Sequence, residues 1–130
     1  MPPAAQSPEE PAPFAEAHQL ARRARDLART SRPDAHRREL VGLATVARAA
    51  LVAVAEALHA ADAHAELRGL RDAQVLLGEL RARTYPAFLA GVLDGAHFDA
   101  LVGDAARTGR ALERAAQSAR RRARLHIDEA

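Results

Sequence analysis

Arg107, Arg110, Arg114 and Arg121 stand three, four and seven residues apart near the end of the chain. On a helix turning about 100° per residue they fall in one narrow stripe, with Arg124 beside it. Guanidinium groups in such a line can follow a phosphate backbone, each donating paired hydrogen bonds to phosphate oxygens. The stretch 105–125 holds seven Arg against Glu113 alone. The stretch 20–38 holds seven more, Arg22, Arg23, Arg25, Arg29, Arg32, Arg37 and Arg38, against Asp26 and Asp34. The segment between them is acidic on balance. Two basic segments around an acidic centre suit a polyanionic partner better than the net charge of +2 implies. All 19 basic residues are Arg, which a GC-rich coding genome also produces. Cations near a helix C-terminus on a solvated face would give a similar pattern.

Other chemistry finds less support. Six His are present, but a di-iron bundle needs two Glu-x-x-His pairs and two further Glu, all facing inward. Only Glu56-Ala-Leu-His59 has that spacing, and both residues lie off the apolar seam of their helix. Glu56 is instead a candidate for a buried or inter-subunit pair with an Arg. Asp94-Gly-Ala-His97 reads as a helix N-cap. His59 and His64 are five apart, the wrong interval for one helical face. There is no Gly-rich phosphate loop, nucleophile elbow or triad, and with no Cys there are no thiolate ligands or disulfides. The expectation is a non-catalytic protein without metal or cofactor.

The elements that must position the arginines are helices. Ala supplies 34 residues and Leu 16, whereas Val and Ile together give 8 and the aromatics 4. Strong helix formers dominate, and the side chains that cover a pleated sheet are scarce, so the predicted class is all-α. Residues 1–13 hold five of the seven prolines and read as a disordered leader. Helices are predicted over 14–30, 34–60, 62–84 and 96–125. The first stops before Ser31-Arg32-Pro33. Asp34 is placed to cap the second and Asp62 the third, which Tyr85-Pro86 kinks or ends. A short helical stretch then leads to Val92 and the turn at Leu93-Asp94-Gly95. Short connections make this an up-down-up-down four-helix bundle.

Within helix two, Leu40, Ala44, Ala47, Leu51, Val54 and Leu58 form a heptad seam. Beside it Val41, Thr45, Ala49, Val52 and Ala53 extend the apolar surface around much of the helix, as expected of a subunit interface. Leu67, Leu70, Leu77 and Leu80 should face inward from helix three, and Phe98, Leu101, Ala105, Leu112, Ala116 and Ala119 from helix four. The longest uninterrupted apolar run, 49–55, is far shorter than the ~20 residues of a membrane span. No basic segment followed by an apolar run marks a signal peptide. The expectation is therefore a cytoplasmic protein with no membrane partner.

From 37 to 122 the chain resembles the four-helix-bundle proteins that include the 23S ribosomal RNA intervening-sequence proteins and the accessory variability determinant (Avd) of diversity-generating retroelements. The similarity is carried by Arg38-Glu39-Leu40 and Ala55-Glu56-Ala57 at the two ends of helix two. It continues in Leu67-Arg68, in 73–81, in His97-Phe98-Asp99-Ala100-Leu101 at the start of helix four, and in Thr108-Gly109-Arg110-Ala111-Leu112. Pro86 departs from the family's smoother third helix. The resemblance implies a basic, barrel-like homopentamer that binds a dedicated reverse transcriptase and its template RNA and supports mutagenic copying. It also implies that Gly109-Arg110 allows close packing near the basic surface.

Together these readings give an oligomeric adaptor for RNA or an RNA/DNA hybrid. Phosphate contacts are expected from Arg107, Arg110, Arg114, Arg121 and Arg124, joined by Arg22, Arg23, Arg29, Arg37 and Arg38. Val41, Thr45, Ala49 and Val52 are the expected oligomer interface. With few aromatics to stack bases, sequence-specific reading of single strands is not expected. The competing reading is a helical protein–protein interaction module, antitoxin-like or a scaffold, whose arginines meet an acidic protein surface.

Overall fold

A computed structural model describes residues 12–30 and 36–129, with side chains placed as far as 125. Most of the expected leader, the Pro33 stop and the Asp34 cap lie outside the described residues. Four helices follow in order, α1 (Pro13–Thr30), α2 (Arg37–Leu58), α3 (Ala63–Leu89) and α4 (Gly95–Glu129), and no strand occurs among the described residues. Each helix packs on its neighbours in the cycle α1–α2–α3–α4–α1, and no Cα atoms of the diagonal pairs come within 8 Å. Glu66 lies opposite Arg122, and Gln74 opposite Glu113, so α3 and α4 run antiparallel. Gly42 against Arg83 and Gly69 against Ala57 show the same for α2 and α3. The chain is an all-α four-helix bundle.

Local chemistry sets the ends. The Asp62 side chain accepts a hydrogen bond from the Ala65 N–H at 2.8 Å and caps α3. Asp94 does the same for α4 through the His97 N–H at 2.8 Å. α2 starts at Arg37, and its N-cap, His36, makes no side-chain capping bond. At the end of α3, the Gly91 N–H bonds to Phe88 O and the Val92 N–H to Ala87 O, with Gly91 at φ +78°. This is a Schellman closure, and its left-handed position favours glycine.

Two helices run past their predicted ends. α3 does not end at Tyr85-Pro86 but runs on to Leu89. Pro86 removes only the bond to the Ala82 carbonyl; both residues are exposed, so water can take that carbonyl. α4 is 35 residues long and continues to Glu129, about 52 Å at 1.5 Å per residue.

The core is built from Leu20 of α1, Leu43 and Val54 of α2, Leu70, Leu77 and Leu80 of α3, and Leu101 and Leu112 of α4, with alanines between them. Gly69 allows α3 to approach α2 closely, since a Cβ there would stand 2.8 Å from the Ala57 Cβ. Helices three and four turn the expected faces inward; Phe98 is half-buried and stacks on Phe88 with ring centroids 4.4 Å apart. The seam of α2 is corrected. Its buried line is Leu40, Leu43, Ala47, Ala50, Val54 and Ala57, with Ala44 and Leu51 on the flank toward α1. Leu58, at the end of that flank, is 47% exposed. α1 is the reason: His18 lies beside Leu51 across one groove, and α1 begins only five residues earlier at Pro13. It is too short to reach Leu58.

Candidate nucleic-acid interface

α4 turns Leu101, Ala105, Leu112, Ala116 and Ala119 into the core, and its opposite side carries the arginine stripe. Arg110, Arg114, Arg121 and Arg124 are all exposed there. From Arg110 to Arg124 the rise is about 21 Å along the axis. Glu113, at the edge of the stripe, is turned toward α3, where the Gln74 amide donates to it at 3.0 Å.

Arg107 and Arg23 behave differently from the rest of the expected set. Asp104 is wholly buried on α4. The Arg23 Nε of α1 donates to one of its oxygens, and the Arg107 Nη2, one turn along α4, donates to the other. Arg107 also lies 3.5 Å from Glu16 of α1. A buried carboxylate needs paired charge and satisfied lone pairs, and these two guanidiniums supply both. Arg107 and Arg23 thus tie α1 to α4, although Arg107 remains exposed. Arg22, Arg29, Arg37 and Arg38 are exposed, but on α1 and the start of α2, away from the stripe.

Sequence reasoning missed Arg81. Its Nη2 crosses from α3 to donate to the Ala105 carbonyl of α4 at 3.1 Å. The path is open because residue 109 is glycine: a Cβ there would meet the Arg81 Nη2 at 2.9 Å. Arg81 and Arg110 consequently line the same groove between α3 and α4, of about 450 Å³. The Arg81 guanidinium extends the basic surface sideways onto α3. Further along, Arg122 pairs with Glu66 at 2.7 Å and is turned from the stripe toward α3.

The caps carry the clear pKa effects. The Ala65 N–H holds the Asp62 carboxyl below its ordinary value, and the His97 N–H does so for Asp94. The Asp94 carboxylate also lies 3.0 Å from the His97 Nδ1. Among the described residues no group of three or more His, Cys, Asp or Glu could hold a metal. Glu56 is exposed rather than in the buried pair considered for it, and His59 Nδ1 contacts the Ala55 carbonyl at 2.8 Å.

Val41 and Val52 are each 46% exposed. Thr45 is exposed with them, and Ala49 is half-buried around the helix. α2 is long and apolar enough to cross a membrane by length and composition, but its Leu40–Ala57 side is buried in the bundle. Compared with models of protein families, with curated proteins and with solved structures, the chain has no match.

Proposed function

We propose that this chain is a non-catalytic accessory protein that binds RNA, or an RNA/DNA hybrid, along the outer side of α4. The observation that carries the reading is the row Arg110, Arg114, Arg121 and Arg124, exposed on one side of one helix, with Arg81 beside it and the only acid of 105–125 turned to α3. A straight helix with cations at this spacing presents donors along a backbone without reading base edges. Arg22, Arg29, Arg37 and Arg38 form a secondary basic surface.

The resemblance of 37–122 to the Avd and intervening-sequence proteins supports the same reading. It adds a reverse transcriptase as protein partner, support of mutagenic cDNA synthesis as the role, and a ring-like homopentamer as the working form; the cytoplasmic location rests on the sequence reading alone. The apolar outer side of α2, with Val41, Thr45, Ala49 and Val52, is the surface assigned to the subunit contact.

The test is titration of the purified chain with a structured RNA at several salt concentrations. Binding that weakens steeply with salt, and is lost in Arg110→Glu/Arg114→Glu/Arg121→Glu with helicity intact, is the expected result. Binding unchanged in that triple variant removes the stripe from the proposal. A chain indifferent to RNA at low salt leaves the helical protein-interaction module as the better reading.

A further inference from the structure

α1 and α2 enclose a groove of about 510 Å³ on the side of the bundle away from α3. Its floor is apolar, formed by Ala21 and Ala28 of α1 and by Ala44 and Leu51 of α2. Along one wall stand His18, Arg22, Arg25 and Arg29, all exposed. Their spacing of four, three and four residues keeps them in one line, about 17 Å long at the helical rise.

The facing wall on α2 is formed by Val41, Thr45 and Arg48, and Val52 continues their four-three-four line beyond the groove's lining residues. The Thr45 hydroxyl donates to the Val41 carbonyl at 2.8 Å. That bond uses the hydroxyl within the helix, so the wall is largely hydrocarbon apart from Arg48. One wall is therefore cationic, the other mostly apolar, and no Asp or Glu lines the groove among the described residues. Arg25 has Asp26 at 3.6 Å, but both are more than half exposed, which makes the pair weak. Arg22, Arg29 and Arg48 have no ion-pair partner among the described residues.

This asymmetry selects among occupants. A nucleic acid would satisfy the arginines but leave the apolar floor and the valines uncovered, and none of the groove's lining residues is a Phe, Tyr or Trp on which a base could stack. A second copy packed groove to groove about a two-fold axis across the groove would set one cationic row against its like, and about an axis along the groove would set each row against a mostly apolar wall that offers its arginines no carboxylate. A helix with an apolar stripe and an acidic flank satisfies both walls at once. Its stripe covers the floor and the valines, and its carboxylates face the α1 row. A groove between two antiparallel helices is also the shape that a third helix fills.

We propose that the α1/α2 groove receives an amphipathic helix of a partner protein, apolar at i, i+3/i+4 and i+7, with Asp or Glu along one flank. The site is separate from the α4 stripe and does not rest on RNA binding there.

The probe is a fluorescein-labelled synthetic helix of about 18 residues, carrying Leu on one stripe and Glu on the neighbouring flank at four-three-four spacing. Two control peptides replace Glu by Lys, or Leu by Ser at unchanged charge, and a single-stranded RNA serves as competitor. The full chain should bind the Leu/Glu probe saturably and each control about tenfold more weakly or worse. Arg25→Glu/Arg48→Glu should weaken the probe by a similar factor and improve the Lys-flanked peptide. Its melting temperature and RNA affinity should not change. Equal binding of the Ser control would overturn the proposal, because charge alone would then suffice. So would loss of RNA affinity in parallel with the probe in that double variant, which would make the groove a nucleic-acid surface. Val41→Asp/Val52→Asp supplies the last arm: a fall in oligomer mass with the probe still bound shows that a second copy covers the valines, and overturns it too.

Discussion

Asp104 decides what two of the arginines are for. Its carboxylate is buried, and Arg23 and Arg107 each engage one oxygen, so losing one guanidinium leaves half of a buried charge unmet. Arg23→Met or Arg107→Met alone should cost about 1–3 kcal/mol. The double variant should cost about 3–5 kcal/mol, read from urea unfolding. A double variant as stable as the parent would show that Asp104 finds other partners. None of this was legible in the sequence, because Arg23 and Asp104 are 81 positions apart; periodicity sees only a cationic face. Two glycines of α3 make a second residue-scale contrast. Gly69→Ala drives a Cβ to 2.8 Å from the Ala57 Cβ and 3.1 Å from its Cα, so α2 and α3 must separate, at about 1–3 kcal/mol. Gly78→Ala meets nothing within 4 Å and should stabilise by about 0.5–1 kcal/mol. Thermal melts of the pair settle the signs.

At the scale of elements, the sequence showed most where chemistry is local. Asp62 and Asp94 were recognisable as caps because the N–H that each accepts lies three residues on. Both carboxyls sit below their ordinary values in the folded chain. Their contribution is therefore complete above the unfolded-state value and is lost as pH falls through the lowered one. Asp62→Asn/Asp94→Asn keeps an acceptor but removes the titration, so acid unfolding below about pH 4 should become shallower than in the parent. Whether Pro86 ends α3 was not decided by the sequence, because its effect depends on whether the Ala82 carbonyl can reach water, which only the folded surroundings decide. Leu58 was misread for a related reason: the α2 seam is regular, but α1 stops short of its end. The α4 arginine stripe was the most legible surface feature, and the binding proposed for it is also the most simply tested. Four arginines on four phosphates give a salt slope of roughly −3 for single-stranded RNA. The triple charge reversal should flatten that slope to near zero; a slope unchanged by it would move the phosphates elsewhere.

For the whole molecule, the bundle was foreseeable from an alanine- and leucine-rich composition, but its assembly was not. Exposed Val41 and Val52 on α2 show apolar surface without showing how many copies share it. Light scattering coupled to size exclusion should return five times the 13.9 kDa chain mass if the resemblance extends to assembly. A parent that elutes as one chain would end the ring reading. One further property follows from the size of α1. At 18 residues it is the shortest of the four helices. It should open as a unit before the other three, its amide protons exchanging with solvent at lower cost than those of α2 and α3. Because every basic residue is Arg, trypsin can record that event directly. Its earliest cuts within the bundle should fall at Arg22, Arg23, Arg25 and Arg29, leaving a three-helix remnant that the protease consumes more slowly.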